Sequence, residues 1–177
     1  SLFHQYTKNR KYSYLEFLDF IKKCNSFTKN EILLVSGSNK KKDFEVLDIL
    51  KDLRNEKKLN IKIGIAYNPY LKNYYNFYGE RLRFEKKFSY GLTKSIWLQF
   101  GTDIKLLQSE INFLKKSIMD NSFNNNFQNV KIFGSILIPS KQFINRFKFR
   151  PWKGVYISDK YLNSLDEFST FTKNLIE

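Results

Sequence analysis

The pattern of apolar and polar positions predicts helices and strands in alternation along the chain. The wholly apolar run 32–35 is typical of a buried parallel strand, and further strands are predicted at 61–67, 95–100 and 130–138. Apolar residues at helical spacing cover about 13–21, 43–53, 80–88, 103–118, 140–147 and 164–175. Ser13 with Glu16 and Ser164 with Glu167 have the spacing of capping boxes. Residues 1–6 are compatible with the end of a further strand.

Buried strands separated by helices require parallel pairing through crossovers, so we expect an α/β protein of one domain. The predicted strands begin about 29 to 35 residues apart, and 177 residues therefore hold about five such units. A complete (β/α)8 barrel needs roughly 250 residues. The pattern leaves two architectures open: a five-stranded doubly wound sheet, or an incomplete (β/α)8 TIM barrel. Either one binds ligands at the carboxyl ends of its strands.

The composition is basic, with 31 Lys and Arg against 17 Asp and Glu and a formal charge of +14. Such a charge suggests nucleic acid as one partner class. However, the lysine pairs and triplets fall in or beside separate predicted helices, and no nucleic-acid-binding motif is present. A solvated basic surface is the favoured interpretation, and we expect no nucleic-acid partner. Hydrophobic residues make up 42% of the chain, which excludes wholesale disorder.

The numbers of Cys and His residues and the lengths of the apolar runs argue against several kinds of protein and of binding site. The lone Cys24 excludes a disulfide scaffold, and no apolar run approaches the roughly 18 residues of a membrane span. With one His and one Cys the chain is poorly supplied for a metal site, and the glycine-rich phosphate-binding motifs are absent. The chain begins at Ser1 without a secretory signal. We therefore expect a segment of a longer cytoplasmic protein, without a membrane partner.

Two groups of polar residues are candidates for a site. Gln99 lies at the end of an apolar strand, a poor place for an amide unless a hydrogen bond satisfies it. Glu80, Arg83, Lys86 and Lys87 lie within two turns of one predicted helix. They either form a solvated charged face or hold phosphates and a ribose hydroxyl.

The ends of the predicted strands resemble those of the methylenetetrahydrofolate reductase family, flavin-dependent (β/α)8 barrels of one-carbon metabolism. Residues 33–38 are similar to the family's fourth strand, which ends in Arg-Gly-Asp, and 64–69 to its fifth, Ala-Ala-Tyr-Pro. Residues 80–91 resemble the helix that holds the adenosine diphosphate part of FAD. Residues 97–100 resemble Thr-Gln-Phe-Phe of strand six, and 133–140 resemble Pro-Gly-Ile-Leu-Pro of strand seven.

The resemblance implies an oxidoreductase of methionine biosynthesis. It would reduce 5,10-methylenetetrahydrofolate to 5-methyltetrahydrofolate with NAD(P)H and FAD. The substrate-binding residues that the resemblance implies are Gln99, which would contact the pterin, and Phe143, which would stack on the folate. The cofactor-binding residues that it implies are Ser36, Gly37, Ser38, Ala66, Tyr67, Glu80, Arg83, Lys86 and Lys87. A homo-oligomer is compatible with these expectations.

The chain also departs from the family pattern. Ser36-Gly37-Ser38 stands where the family has Arg-Gly-Asp, so Ser38 supplies no negative charge beside a flavin. The family's general acid is a Glu on the first strand, and no equivalent segment is present. We therefore expect this segment to be inactive alone, with its acid outside it. The alternatives are a non-catalytic folate- or nucleotide-binding barrel protein and a basic nucleic-acid-binding α/β domain.

Overall fold

A computed structural model describes residues 2–6, 14–24, 31–35, 45–56, 61–71, 77–121 and 129–176. The strands are Leu2–Tyr6 (β1), Glu31–Val35 (β2), Lys62–Tyr67 (β3), Thr93–Leu98 (β4) and Lys131–Phe133 (β5). The helices are Tyr14–Cys24 (α1), Val46–Arg54 (α2), Phe77–Phe88 (α3), Ile104–Asn121 (α4), Lys141–Phe149 (α5), Asp159–Asn163 (α6) and Leu165–Ile176 (α7).

The five strands form one parallel sheet in which spatial order equals chain order, β1-β2-β3-β4-β5. The expected α/β class, with strands and helices alternating, is confirmed. A doubly wound sheet reverses its strand order at a switch point. No such reversal occurs among the strands that the structure describes.

One face of the sheet packs against the first four helices. Ile63, Ile65 and Tyr67 point to this side because side chains in a strand alternate between faces. They share a buried cluster with Phe84 and Phe88 of α3 and with apolar residues of α1, α2 and α4. The helices therefore cover the apolar face. The strand residues that alternate with these point their side chains to the other face.

Helix starts follow local capping chemistry. Asp103 accepts a hydrogen bond from the Leu106 N–H at 2.9 Å, Ser140 from Phe143 at 3.1 Å and Ser164 from Glu167 at 3.2 Å. The cap predicted at Ser164 is confirmed, and the helices predicted from about 103 and 140 begin at the caps Asp103 and Ser140. The second helix begins at Val46 instead of near 43, because the box formed by Glu45 and Asp48 caps it there. The predicted cap Ser13 lies outside the described residues.

The last strand is shorter than predicted. An apolar run over 130–138 suggested a long strand, but the ladder with β4 ends where Trp97 pairs with Phe133. Beyond it, the Ser135 hydroxyl donates to the Leu98 carbonyl at 2.6 Å. The Ser135 side chain thus bonds the strand carbonyl that a further backbone N–H of β5 would otherwise have bonded. The chain leaves the sheet at this point. The third predicted strand also begins two residues early, at Thr93.

A second buried cluster forms beyond the sheet. It joins Phe100 to residues of α5, α7 and the segment 155–157, and its members are Phe100, Ile144, Phe147, Val155, Ile157, Phe168 and Phe171. Within it Phe100 and Phe168 stack with centroids 6.2 Å apart. The short helix α6 was not predicted. This cluster anchors the C-terminal helices close to the carboxyl end of β4.

Candidate functional site

Gln99 lies directly after the carboxyl end of β4, as a ligand-binding residue of a parallel sheet should. Its backbone N–H donates to the Tyr67 carbonyl at 2.9 Å, so β3 and β4 hold its position. The side chain is exposed, and its Oε1 accepts the Phe100 N–H at 3.0 Å. The amide is therefore held at one end by the backbone, and its NH2 end points away from that bond.

The face opposite the helices, which we call the second face, carries a line of hydrogen bonds and ring contacts across β2 to β5. The Ser95 hydroxyl donates to Glu31 Oε1 at 2.7 Å and accepts the Trp97 indole N–H at 3.0 Å. The Trp97 ring stacks on Phe133, with centroids 4.5 Å apart and planes 23° apart. The relay Glu31–Ser95–Trp97 therefore fixes the orientation of the indole.

The absence of a side chain at Gly64 leaves the space that this relay occupies. Gly64 lies on β3 between β2 and β4, and it pairs with Leu33 on one side and Ser95 on the other. A Cβ at this position would lie 2.7 Å from Ser95 Oγ and 3.0 Å from Trp97 Nε1. The Glu31–Ser95 bond thus crosses β3 above a residue without a side chain.

Ala66 and Tyr67, both predicted to line the flavin, point to opposite faces. Ala66 is partly exposed and pairs with Trp97 in the sheet, so it belongs to the second face. Tyr67 is 2% exposed and points into the helix layer. A ligand on the second face would contact Ala66 but not the Tyr67 ring.

The four charged residues predicted to bind the cofactor lie on two different sides of α3. Glu80 and Lys87, seven residues apart, are buried: a Glu80 carboxylate oxygen accepts the Asn68 N–H at 3.2 Å, and the Lys87 ammonium donates to the Ala66 carbonyl at 3.3 Å. Arg83 and Lys86 are exposed. Two of the four predicted cofactor-binding side chains therefore secure the end of β3.

A buried polar network lies behind this end of β3. The Arg81 guanidinium donates to both carboxylate oxygens of Glu110, at 2.7 and 3.2 Å, and the Tyr67 hydroxyl donates to the same carboxylate. Glu110 is fully buried, and the guanidinium also lies 4.4 Å from the Phe113 ring centroid. Burial, followed by the bond to Glu110, raises the pKa of Tyr67. The hydrogen bond to Glu110 raises the pKa of Arg81.

The segment 154–158 covers the carboxyl ends of β3 and β4 on one side. Asn68 Nδ2 donates to the Gly154 carbonyl at 2.8 Å, and the Thr102 N–H donates to the Tyr156 carbonyl at 3.0 Å. Tyr156 stacks on the buried Tyr70, whose hydroxyl donates to the Gly101 carbonyl at 3.1 Å. Gly154 has φ +83°, where a side chain would be strained. Gly154 and Tyr156 therefore bind the segments that follow β3 and β4.

Phe143 lies away from the second face. Its ring contacts are with Phe147 at 5.6 Å, Trp152 at 5.3 Å and Phe168 at 6.4 Å, all in or beside the second buried cluster. Its predicted stacking on the substrate stays a prediction. Ser36, Gly37 and Ser38 lie outside the described residues, although they follow β2 directly.

Other features of the described chain lie apart from Gln99. A surface cleft of about 600 Å³ lies between the start of α4 and helices α6 and α7. Within the described ranges, no three His, Cys, Asp or Glu side chains group as metal ligands, and no helix is long and apolar enough to cross a membrane. Cys24 is buried in the main cluster, which raises the pKa of its thiol.

Sequence reasoning missed Glu110 and the relay that holds Trp97. Glu110 interrupts the apolar stripe of α4, between Leu107 and Leu114, and a charge in such a stripe indicates a buried partner. Trp97 shares strand parity with Gln99, which places both on one face. The partner of each, however, comes from a distant strand or helix, which a single sequence does not identify.

No protein-family model matches this chain, and neither does any curated protein.

Proposed function

We propose that this chain is a pteridine-binding part of a (β/α)8 barrel related to the methylenetetrahydrofolate reductases. It would serve the NAD(P)H-dependent reduction of 5,10-methylenetetrahydrofolate to 5-methyltetrahydrofolate. The observation that carries the proposal is the exposed amide of Gln99, held directly after the carboxyl end of an interior strand. In parallel β/α proteins this is the end at which ligands bind.

The strand order supports a barrel in preference to a doubly wound sheet. In a barrel each β/α unit adds its strand beside the previous one, which gives the order seen here. The crossovers then place all helices outside and the second face inside. Glu31, Ser95, Trp97 and Phe133 would be interior residues of that barrel.

Gln99 suits a pterin because its amide both donates and accepts hydrogen bonds. The pyrimidinone edge of a pterin offers the same two functions side by side. A pterin held there has a fixed position relative to a hydride donor, and such positioning contributes much of the rate in hydride transfer. The role proposed for Gln99 is therefore to bind and orient the folate.

Two of the four predicted cofactor-binding residues on α3 do not fit an FAD site of the kind that the resemblance implies. The Glu80 carboxylate binds the Asn68 N–H, and the Lys87 ammonium binds the Ala66 carbonyl. Both side chains are buried, so a ribose or pyrophosphate would have to displace these bonds. We therefore derive no step through a flavin, and direct use of a nicotinamide is the form of the reaction that we propose.

A second candidate is a folate-binding protein without catalysis. Glu31 is the carboxylate that the relay holds on the second face, and it begins β2, at the opposite end of the sheet from Gln99. A general acid must lie within hydrogen-bond reach of the reacting atom. Glu31 is too far from a ligand at Gln99 to act as that acid, so a reductase would need an acid from outside this segment and a binding protein would need none.

The whole chain with Gln99→Ala tests the proposal, with Gln108→Ala, an exposed amide on α4, as the matched control. We expect about fivefold weaker binding of folic acid for Gln99→Ala, since one good hydrogen bond is worth about 1 kcal/mol, and no change for Gln108→Ala. Equal affinities of wild type and Gln99→Ala would refute the assignment. Oxidation of NADH by methylenetetrahydrofolate in the full-length protein separates the enzyme from the binding protein, and flavin absorbance tests FAD.

A further inference from the structure

Exposed apolar side chains are concentrated around α5. Among the described residues, eight large apolar side chains are exposed, and four of these fall within 136–152. They are Ile136, which is 51% exposed, Ile138 at 83%, Phe149 at 91% and Trp152 at 54%. Single exposed apolar residues are ordinary on a protein surface, whereas a group of them marks an interaction site.

The four side chains lie on or directly beside one helix. Ile138 precedes the Ser140 cap of α5, and Phe149 is the last residue of this helix, which at nine residues is about 13 Å long. The Trp152 ring folds back on α5, with its centroid 5.3 Å from that of Phe143 and 6.3 Å from that of Phe147. We call the group Ile136, Ile138, Phe149 and Trp152 the α5 patch.

The isoleucines and Phe149 of the α5 patch point away from the second buried cluster. Helix α5 contributes Phe147 to that cluster, and Phe149 follows it by about 200° around the helix. Leu137 packs against the same cluster, whereas Ile136 and Ile138 on either side of it are exposed. A partner can therefore contact these side chains without any change in the packing of the cluster.

The charge around the α5 patch is of one sign. Residues 121–158 contain six Lys and Arg and no Asp or Glu. The Lys148 ammonium donates to the Asn163 amide oxygen at 2.9 Å, which is a neutral partner. No described carboxylate forms an ion pair with Lys141, Arg146 or Arg150. All of these cations are exposed, and their charge is complementary to an anionic partner.

We propose that the α5 patch docks on the surface of a membrane that contains anionic lipids. Its apolar side chains enter the boundary of the acyl chains, and the cations beside it bind the headgroups. Trp and other large apolar side chains, combined with Lys and Arg, are typical of such interfacial sites. The sequence predicts no membrane partner because no apolar run could span a bilayer, but docking on the surface needs no such run. The proposal does not rest on the proposed function.

Single-stranded nucleic acid is the other anionic partner that exposed rings and cations bind. Nucleic-acid bases stack on the flat faces of aromatic side chains, and Ile136 and Ile138 have no such faces. The acyl boundary of a membrane accepts aliphatic and aromatic side chains alike. The two exposed isoleucines therefore favour the membrane.

Co-sedimentation of the whole chain with vesicles tests the role of the cations. We expect binding to phosphatidylcholine vesicles with about 30% phosphatidylserine at about 0.1 M salt, and at least about tenfold weaker binding to phosphatidylcholine alone. Arg146→Gln with Arg150→Gln should weaken binding about twentyfold, because each cation near an anionic surface contributes about fivefold. Lys115→Gln with Lys116→Gln, an equal change of charge on exposed positions of α4, should weaken it by no more than about threefold. Equal losses for the two pairs would overturn the proposal, since net charge alone would then explain binding.

Phe149→Ala tests the apolar side chains. We expect about tenfold weaker vesicle binding, because moving a Phe side chain from water into an apolar phase contributes at least that factor. Leu15→Ala, at a side chain of α1 that is 76% exposed, should bind as wild type does. Equal affinities of Phe149→Ala and wild type would rule out insertion of the patch.

The two tryptophans of the chain report where the membrane contacts it. In Trp97→Phe only Trp152 emits, and phosphatidylserine vesicles should shift its emission to shorter wavelengths, while brominated acyl chains should quench it. In Trp152→Phe only Trp97 emits, on the second face of the sheet, and neither change should occur. A shift and quenching confined to Trp97 would place the contact elsewhere and contradict the proposal.

Other partners of the α5 patch give different outcomes. Failure of the chain to bind phosphatidylserine vesicles would overturn the proposal. Binding of a single-stranded oligonucleotide that Phe149→Ala weakens would then assign the patch to nucleic acid. Self-association of the chain that Phe149→Ala abolishes would instead assign it to a second copy.

Discussion

Replacing Glu110 by alanine removes the shared acceptor of a buried network. The carboxylate accepts two N–H groups of Arg81 and the Tyr67 hydroxyl, and it is fully buried. In Glu110→Ala the guanidinium and the phenol lose these bonds within an apolar layer. Breaking a buried pair in this way costs about 3–5 kcal/mol. Because Arg81 is 28% exposed and can turn toward water, we expect the lower end, about 3 kcal/mol.

Urea unfolding followed by circular dichroism measures this loss. With a slope of about 2 kcal/mol per molar urea, a loss of about 3 kcal/mol lowers the midpoint by about 1.5 M at unchanged slope. Glu110→Gln keeps the shape and part of the bonding, so it should lose about half as much. Glu85→Ala, an exposed carboxylate on α3, is the matched control and should stay within about 0.5 kcal/mol of wild type.

A double-mutant cycle with Arg81→Met tests the cause. If the ion pair is responsible, Arg81→Met should cost much less in the Glu110→Ala background than in wild type. Additive losses would mean that the two residues act independently, and our reasoning would be wrong. A change below about 0.5 kcal/mol for Glu110→Ala itself would also refute it.

Three further predictions concern buried groups. Gly64→Ala should destabilise the fold by about 1–3 kcal/mol in urea unfolding, because its Cβ would lie 2.7 Å from Ser95 Oγ; an unchanged midpoint would contradict this crowding. Cys24 should react slowly with a disulfide reagent in the native chain and rapidly in urea, because burial raises its thiol pKa; equal rates would contradict its burial. Burial raises the pKa of Tyr67 and Tyr70, so their stabilising effect is complete below about pH 10 and is lost above it. In tyrosinate absorbance titrations, Tyr67→Phe should lack one late-ionising group, and loss of an early one would contradict the assignment.

Features set by neighbouring residues in the chain were predictable. Asp103 and Ser140 cap their helices as the sequence indicates, because a cap bonds to a backbone group only three residues away. The α/β class followed from apolar runs alternating with helical patterns. In each case the interaction lies within a few residues.

Features that depend on distant residues were not predictable in this way. Strand parity alone would have assigned Tyr67 to the helix side with Ile63 and Ile65, yet its Glu110 partner comes from α4. The early end of β5 depends on a hydroxyl that reaches the Leu98 carbonyl. The hydrogen bond from the Lys87 ammonium to the Ala66 carbonyl depends on how α3 packs against β3. These outcomes follow from packing, which a single sequence does not specify.

The agreement between spatial and chain order has a consequence for how the protein folds. Ile32 pairs with Ile63, and Ile65 with Ile96, so each pairing joins residues about thirty apart. A β/α/β unit can therefore close its own short loop without waiting for the ends of the chain to meet. Contacts of such limited sequence separation favour rapid folding for a parallel sheet. Growth by addition of neighbouring units is the kinetic behaviour that this topology favours.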